Sequence, residues 1–198
     1  RSDTVCQIQR TSGDNYMNIN NESFYRYEDL IDLREQEKLR GILDNEISTS
    51  PALDVPQYQT YPYLHTHYDV ELGPFLQKVT ECMKNLIPTI RFSNISKCWG
   101  NVCTENSNFG THTHESDYTC IYYLRNRYPE YGTTIYDHMI LKGVQNSLII
   151  MKSKIPHSIT NMPPHLAKDN HRYSIVVDYT LSTSDLLQQG FKEEQENV

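Results

Sequence analysis

Apolar residues recur at helical spacing in the first half of the chain and gather into short alternating or continuous blocks in the second. Over 25–47, Leu30, Ile31, Leu33, Leu39, Ile42, Leu43 and Ile47 follow approximately the one-sided pattern of a helix laid on a core. A second such pattern, from Phe75 and Leu76 through Val79, Cys82 and Met83 to Leu86, predicts a helix over 71–86, with Pro74 accommodated in its first turn and Pro88 ending it. Between the two, Pro51, Pro56 and Pro62 alternate with Tyr, which excludes a long helix and predicts a surface loop over 48–68. After Pro88, runs rich in Val, Ile, Tyr and Thr predict strands over 89–92, 97–103, 118–124, 133–137, 147–151 and 172–180. Turn-prone stretches over 105–110, 127–132, 142–146 and 161–170 separate them. Helices followed by an even succession of short strands predict a mainly β fold with helices, of the α+β class: a sandwich or barrel with the helices packed on one side.

The expected organisation is a polar arm over 1–22, one domain over 23–183 (helical support over 25–87, β core over 88–180), and a tail over 184–198 that forms a short helix before an acidic end. The chain begins at Arg1 rather than at a methionine, which leaves a processed N-terminus open. Composition narrows the partners. The 198 residues carry 18 Lys+Arg against 25 Asp+Glu, a net charge of -7, and no basic block, so a nucleic-acid partner held by phosphate contacts is not expected. No apolar run reaches the roughly 20 residues that span a bilayer, so no membrane segment is expected. Hydrophobic residues amount to only 37%, but 15 Tyr supply enough ring area for a folded core. Five cysteines without paired spacing argue against a disulfide framework and for a reducing, cytoplasmic compartment, with Cys82, Cys98 and Cys120 packing as small apolar side chains.

The eight histidines carry the candidate chemistry. His112 and His114 are separated by one residue, so in an extended segment both imidazoles project to the same side and can share a cation. His157 follows the apolar strand over 147–151 and a backbone pinned by Pro156, from where a third imidazole can arrive. Arg172 opens an otherwise apolar strand, where a guanidinium is costly to bury unless it meets an anion, and its fork suits a carboxylate. His65 and His67 repeat the same spacing inside the Pro- and Tyr-rich loop. Tyr61, with Tyr58 and Tyr63, either lines a substrate groove or caps the barrel. Trp99 packs in the core or contacts a ligand, and Asn101, on the same strand face, can hydrogen-bond a substrate or co-substrate.

The ordered set His112-Thr-His114, Thr119 to Leu124, Gly132 to Tyr136, Pro156-His157 and Arg172-Tyr-Ser174 resembles the core of the iron(II) and 2-oxoglutarate-dependent oxygenases, the prolyl hydroxylase-like branch above all. Trp99-Gly100-Asn101 ahead of the His pair also resembles a phage and bacterial H-x-H subgroup. The resemblance covers roughly 97–180. It implies a double-stranded β-helix of the jelly-roll, cupin-like kind, with His112, His114 and His157 as iron ligands and catalytic centre. It further implies that Arg172, aided by Tyr123 and Ser174, binds 2-oxoglutarate, with Trp99, Asn101 and Tyr61 toward the substrate. The implied activity is hydroxylation of an unactivated carbon, in a prolyl or other peptide residue or in a small molecule, using dioxygen and releasing succinate and carbon dioxide.

Three departures from the family's pattern bear on the residues. Position 114 is His where the family has a carboxylate, so the site is three-histidine unless Asp117 or Glu115 folds back to ligate. A three-histidine site opens two other readings: a cupin-like dioxygenase that uses no 2-oxo acid, or a non-catalytic β-sandwich module with structural histidines. The odd spacing of nine residues from His114 to Tyr123 requires a bulge if both are to face the barrel interior. The fifteen residues from His157 to Arg172 require an inserted loop, which Pro163-Pro164 fits.

Overall fold

The computed structural model describes residues 24–49, 57–104, 107, 109–168, 171–183 and 185. The expected arm over 1–22 and nearly all of the tail over 184–198 lie outside the described residues. The first helix begins later than its apolar pattern suggests. Tyr25–Tyr27 is instead a strand, β1, after which Asp29 takes a left-handed backbone at φ 52°. Asp32 then accepts the Glu35 N–H at 2.8 Å and starts α1 (Leu33–Thr49), the side-chain cap that an Asp three residues before a Glu provides. Leu30 and Ile31 reach the core from this turn rather than from the helix.

The loop expected over 48–68 contains a short strand, β2 (Gln57–Gln59), and a one-turn helix, α2 (Leu64–His67). The second long helix, α3 (Asp69–Lys84), starts two residues earlier than expected, so Pro74 lies in its interior and removes one of its backbone donors. The strand expected over 89–92 does not form. Phe92–Asn94 is a turn of 3₁₀ helix closed by the Asn94 carbonyl oxygen of the side chain on the Arg91 N–H, and of that stretch Ile90 alone is buried among the apolar residues.

The remaining strands are β3 (Ile95–Cys103), β4 (Tyr118–Arg125), β5 (Thr133–Ile135), β6 (Met139–Leu141), β7 (Ser147–Lys152), β8 (His157–Ile159) and β9 (Arg172–Tyr179), with a single turn of helix, α4 (Pro164–Ala167), in the loop before β9. They form a six-stranded sheet in the order β1-β7-β4-β9-β3-β2 and a three-stranded sheet in the order β6-β5-β8. Every strand pairing is antiparallel.

Alternation along the central strands sets up two cores. Tyr122, Leu148 and Ile175 face the helices, whereas Ile121, Ile149 and Val176 face the small sheet. A strand buried on both faces loses the polar half of its alternation, which is why 147–151 reads as a nearly unbroken apolar run. On β3, Gly100 lets α1 approach: a Cβ there would overlap the Leu43 side chain. Cys82, Cys98, Cys103 and Cys120 are all buried. No helix among the described residues is long and apolar enough to cross a membrane.

Candidate metal centre

Backbone hydrogen bonds stitch the segment before β4 onto the small sheet. His112 and His157 exchange N–H to carbonyl bonds of 2.9 Å, and the His114 N–H bonds the Ser153 carbonyl at 2.9 Å in the turn between β7 and β8. This brings three rings together that are far apart in the chain. Their centroids lie 4.6 Å (His112 to His157), 4.9 Å (His114 to His157) and 5.2 Å (His112 to His114) apart. One nitrogen from each lies within 4.8 Å of the others.

Their tautomers follow from what each Nδ1 touches. The His112 Nδ1 faces the Gly110 carbonyl at 2.9 Å, the His157 Nδ1 faces the Ile155 carbonyl at 2.8 Å, and the His114 Nδ1 faces an oxygen of Asp178 at 2.9 Å. The Thr119 hydroxyl also lies 3.0 Å from the His114 Nδ1 but gives its hydrogen to Asp178. With every partner thus accepting, each Nδ1 carries the hydrogen and each Nε2 keeps a lone pair, the form in which imidazole binds a metal. Burial grades across the set: His157 is 4% exposed at its floor, and His112 is exposed at its lip.

Burial, reinforced by the neighbouring imidazoles and opposed by the Ile155 carbonyl, pushes the His157 pKa down to about 4 from 6.5. The unfolded chain therefore takes up a proton below 6.5 that the folded chain refuses until about 4. The metal-free protein is expected to keep this contribution in full above pH 6.5 and to lose about 3 kcal/mol of stability as the pH falls to 4, in proportion to the shift. Urea unfolding midpoints across that range measure it; a flat profile would mean that His157 is not held neutral.

An open cleft of about 520 Å³, its mouth included, adjoins the three rings. Its wall is one face of β9 and β3, since Arg172, Ser174 and Val176 share a side of one strand and Trp99 and Asn101 a side of the other, with Asn101 paired opposite Ser174. Trp99 stands against His114 with ring centroids 5.3 Å apart. The Asn101 side-chain oxygen is buried without a partner.

Arg172 is 3% exposed, and among the described residues no carboxylate pairs with it. Its Nη1 donates to the Tyr131 and Gly132 carbonyls at 3.0 and 2.7 Å, the Tyr123 ring lies beside it, and its Nε has no partner. Gly132 permits this close packing, because a Cβ there would overlap the Leu141 carbonyl. A buried guanidinium fixed in this way keeps a positive charge at the cleft wall that no carboxylate among the described residues neutralises.

Other expected residues fall elsewhere. Tyr123 is fully buried and its hydroxyl bonds Thr133 at 2.5 Å; Thr133, not Tyr123, lines the cleft. Tyr61 is 76% exposed and does not line the cleft. Asp117 turns from the imidazoles, its carboxylate accepting the Leu181 N–H at 2.7 Å, and Glu115 is exposed and outside the cluster. His65 and His67 sit on α2 apart from the three rings. The bulge expected between His114 and Tyr123 is unnecessary, since the chain bends over 115–117 before β4 begins and strand parity does not extend to His114.

Sequence reasoning overlooked Asp178. It continues the 172, 174, 176 alternation on β9, so the period-two rule could have found its face, though not its contact with His114. Cleft residues Gln59 and Phe109 carried no comparable signal.

No protein-family model and no curated protein matches the sequence. Solved structures do resemble the fold. HygX from Streptomyces hygroscopicus, solved with nickel and 2-oxoglutarate bound, matches at a TM-score of 0.63 and 11% identity over 83% of this chain and 85% of its own. A prolyl-4-hydroxylase from Pseudomonas putida matches at 0.56 and 9% identity over 83% and 96%. SnoN, a non-haem 2-oxoglutarate-dependent epimerase of nogalamycin biosynthesis, matches at 0.61 and 10% identity over 83% and 80%. At these identities the likeness speaks to architecture alone: the chain shares its fold with HygX, the prolyl-4-hydroxylase and SnoN.

Proposed function

We propose that this protein is an iron(II)- and 2-oxoglutarate-dependent dioxygenase that hydroxylates an unactivated carbon, releasing succinate and carbon dioxide. In this reading the two sheets are the halves of a double-stranded β-helix. The observation that carries it is a pairing within one cleft: three imidazoles with free Nε2 lone pairs, and the buried Arg172 guanidinium on the same wall. Iron(II) held by these three imidazoles would still have room for a 2-oxo acid and dioxygen. Iron bound there supplies oxidative decarboxylation of the 2-oxo acid coupled to C–H oxidation.

The chain's own residues bind, orient and shield. His112, His114 and His157 hold the cation, and their Nδ1 hydrogen bonds fix the rings before it arrives. Arg172 takes the far carboxylate of 2-oxoglutarate with the Ser174 hydroxyl alongside, while Tyr123 acts from behind by holding Thr133. Trp99, Ile121 and Val176 form apolar walls that keep water from the reacting carbon. Asn101 offers its unpartnered oxygen to the substrate.

We place the reacting carbon in a peptide residue, a prolyl foremost. Support comes from the open cleft, from the exposed Tyr61 and Tyr63 on the segment that follows cleft-lining Gln59, and from the shared fold of the Pseudomonas putida prolyl-4-hydroxylase. HygX, also solved with hygromycin B, makes a small molecule the alternative.

A second reading, a three-histidine dioxygenase without 2-oxo acid, is favoured by His114 but leaves the buried Arg172 without a purpose. Anaerobic addition of iron(II) and then 2-oxoglutarate is expected to produce the weak visible absorption of a chelated 2-oxo acid, and admission of air to produce succinate. Oxygen uptake without succinate would establish the second reading instead, and failure to take up stoichiometric iron would leave only a binding module.

A further inference from the structure

Of the three imidazoles, two lean on backbone carbonyls and one leans on a carboxylate. The Asp178 Oδ1 accepts both the His114 Nδ1–H and the Thr119 hydroxyl, each at 2.9 Å. Thr119 is in turn bonded to Ser153 at 2.8 Å, and Ser153 to Ser116 at 2.8 Å. Asp178 is 2% exposed on β9, and among the described residues no Lys or Arg pairs with it. Burying a carboxylate beside one ring of a three-ring cluster, with no basic partner, is costly unless the cluster itself carries positive charge.

We propose that Asp178 is a positioning residue that supplies the metal centre with the negative charge its ligands lack, acting one hydrogen bond back through His114. The His at 114 removes a carboxylate from direct contact with the cation, and Asp178 returns that charge behind the ring. It fixes the ring plane and makes the His114 Nε2 the strongest donor of the three. Thr119, itself bonded to Ser153, holds the carboxylate in place behind the ring. The inference rests on the metal reading of the previous section.

Cobalt(II), titrated anaerobically into the whole chain and followed by its visible bands, tests it without any turnover. Asp178→Asn keeps the shape and removes the charge, and is expected to weaken cobalt(II) binding about 10- to 100-fold. In a His114→Asp background, where a carboxylate ligates directly and no ring stands between, the same Asp178→Asn change is expected to cost nothing comparable. An equal loss in both backgrounds, or none in either, would overturn the proposal and leave Asp178 a structural group. Should Asp178→Asn fail to fold, proton NMR of the zinc-loaded wild type decides: the His114 Nδ1–H should be further downfield and better protected from exchange than those of His112 and His157. Its absence would overturn the proposal. No cobalt(II) uptake by the wild type would instead remove the metal reading itself, and this inference with it.

Discussion

His157→Ala is expected to abolish stoichiometric iron(II) binding and to take product formation below detection. His157 is the buried member of the three, and its backbone bridge to His112 joins the two segments that carry the rings. Removing it leaves two imidazoles, one of them exposed, for a cation that prefers three protein donors. The loss should exceed the roughly 10- to 100-fold that follows removal of a hydrogen bond behind a ligand. The β8 backbone bonds remain, so folding should survive with a cost of about 1–3 kcal/mol for the cavity. Iron content after anaerobic loading, with a thermal melt as control, measures both. One equivalent of iron retained by this variant would move the metal centre elsewhere in the chain. The variant should also lose the acid sensitivity that the neutral, buried imidazole confers on the metal-free protein.

Arg172→Met is expected to raise the 2-oxoglutarate concentration needed for half-maximal succinate formation about 100-fold, roughly 3 kcal/mol, while iron affinity stays unchanged. Arg172 lines the cleft and its guanidinium is fixed by the Tyr131 and Gly132 carbonyls on Nη1, so its fork is organised before any anion arrives. Those two carbonyls lose their donor in the variant, and the melting temperature should fall accordingly, by an amount set by about 1–3 kcal/mol for each group left unpaired. Arg172→Lys should recover part of the affinity through its charge but not the paired geometry. Iron affinity lost in parallel with co-substrate affinity would instead make Arg172 a structural brace.

The central strands were legible because the residues that make them are buried on both faces. Over 118–124, 147–151 and 172–180 the concentration of Ile, Val and Tyr marks each element to within a residue or two of β4, β7 and β9. The three-residue strands β6 and β8 were not legible, since a pattern of period two needs more than one repeat to be recognised and each depends on pairing with β5. The stretch over 25–32 misled for a related reason: its apolar spacing fits a helix, but Tyr25–Tyr27 gains more by pairing along the edge of β7.

The amino-acid order alone determined which residue types could do chemistry: an H-x-H pair on an extended segment, a third His behind a proline, and an Arg too costly to bury without an anion. Those are local properties of spacing and polarity, and they survive any packing that keeps the segments extended. Tertiary structure decided the rest. The His112 to His157 bridge, with the His114 N–H bond to Ser153, brings together rings that lie up to 45 residues apart in sequence. Only the alignment of β9 beside β4 sets Asp178 behind His114, while Asp117, nearer in sequence, is drawn off to the Leu181 N–H. Contacts of that range depend on which strands become neighbours, and strand order is settled by the burial of whole faces rather than by any single residue's spacing.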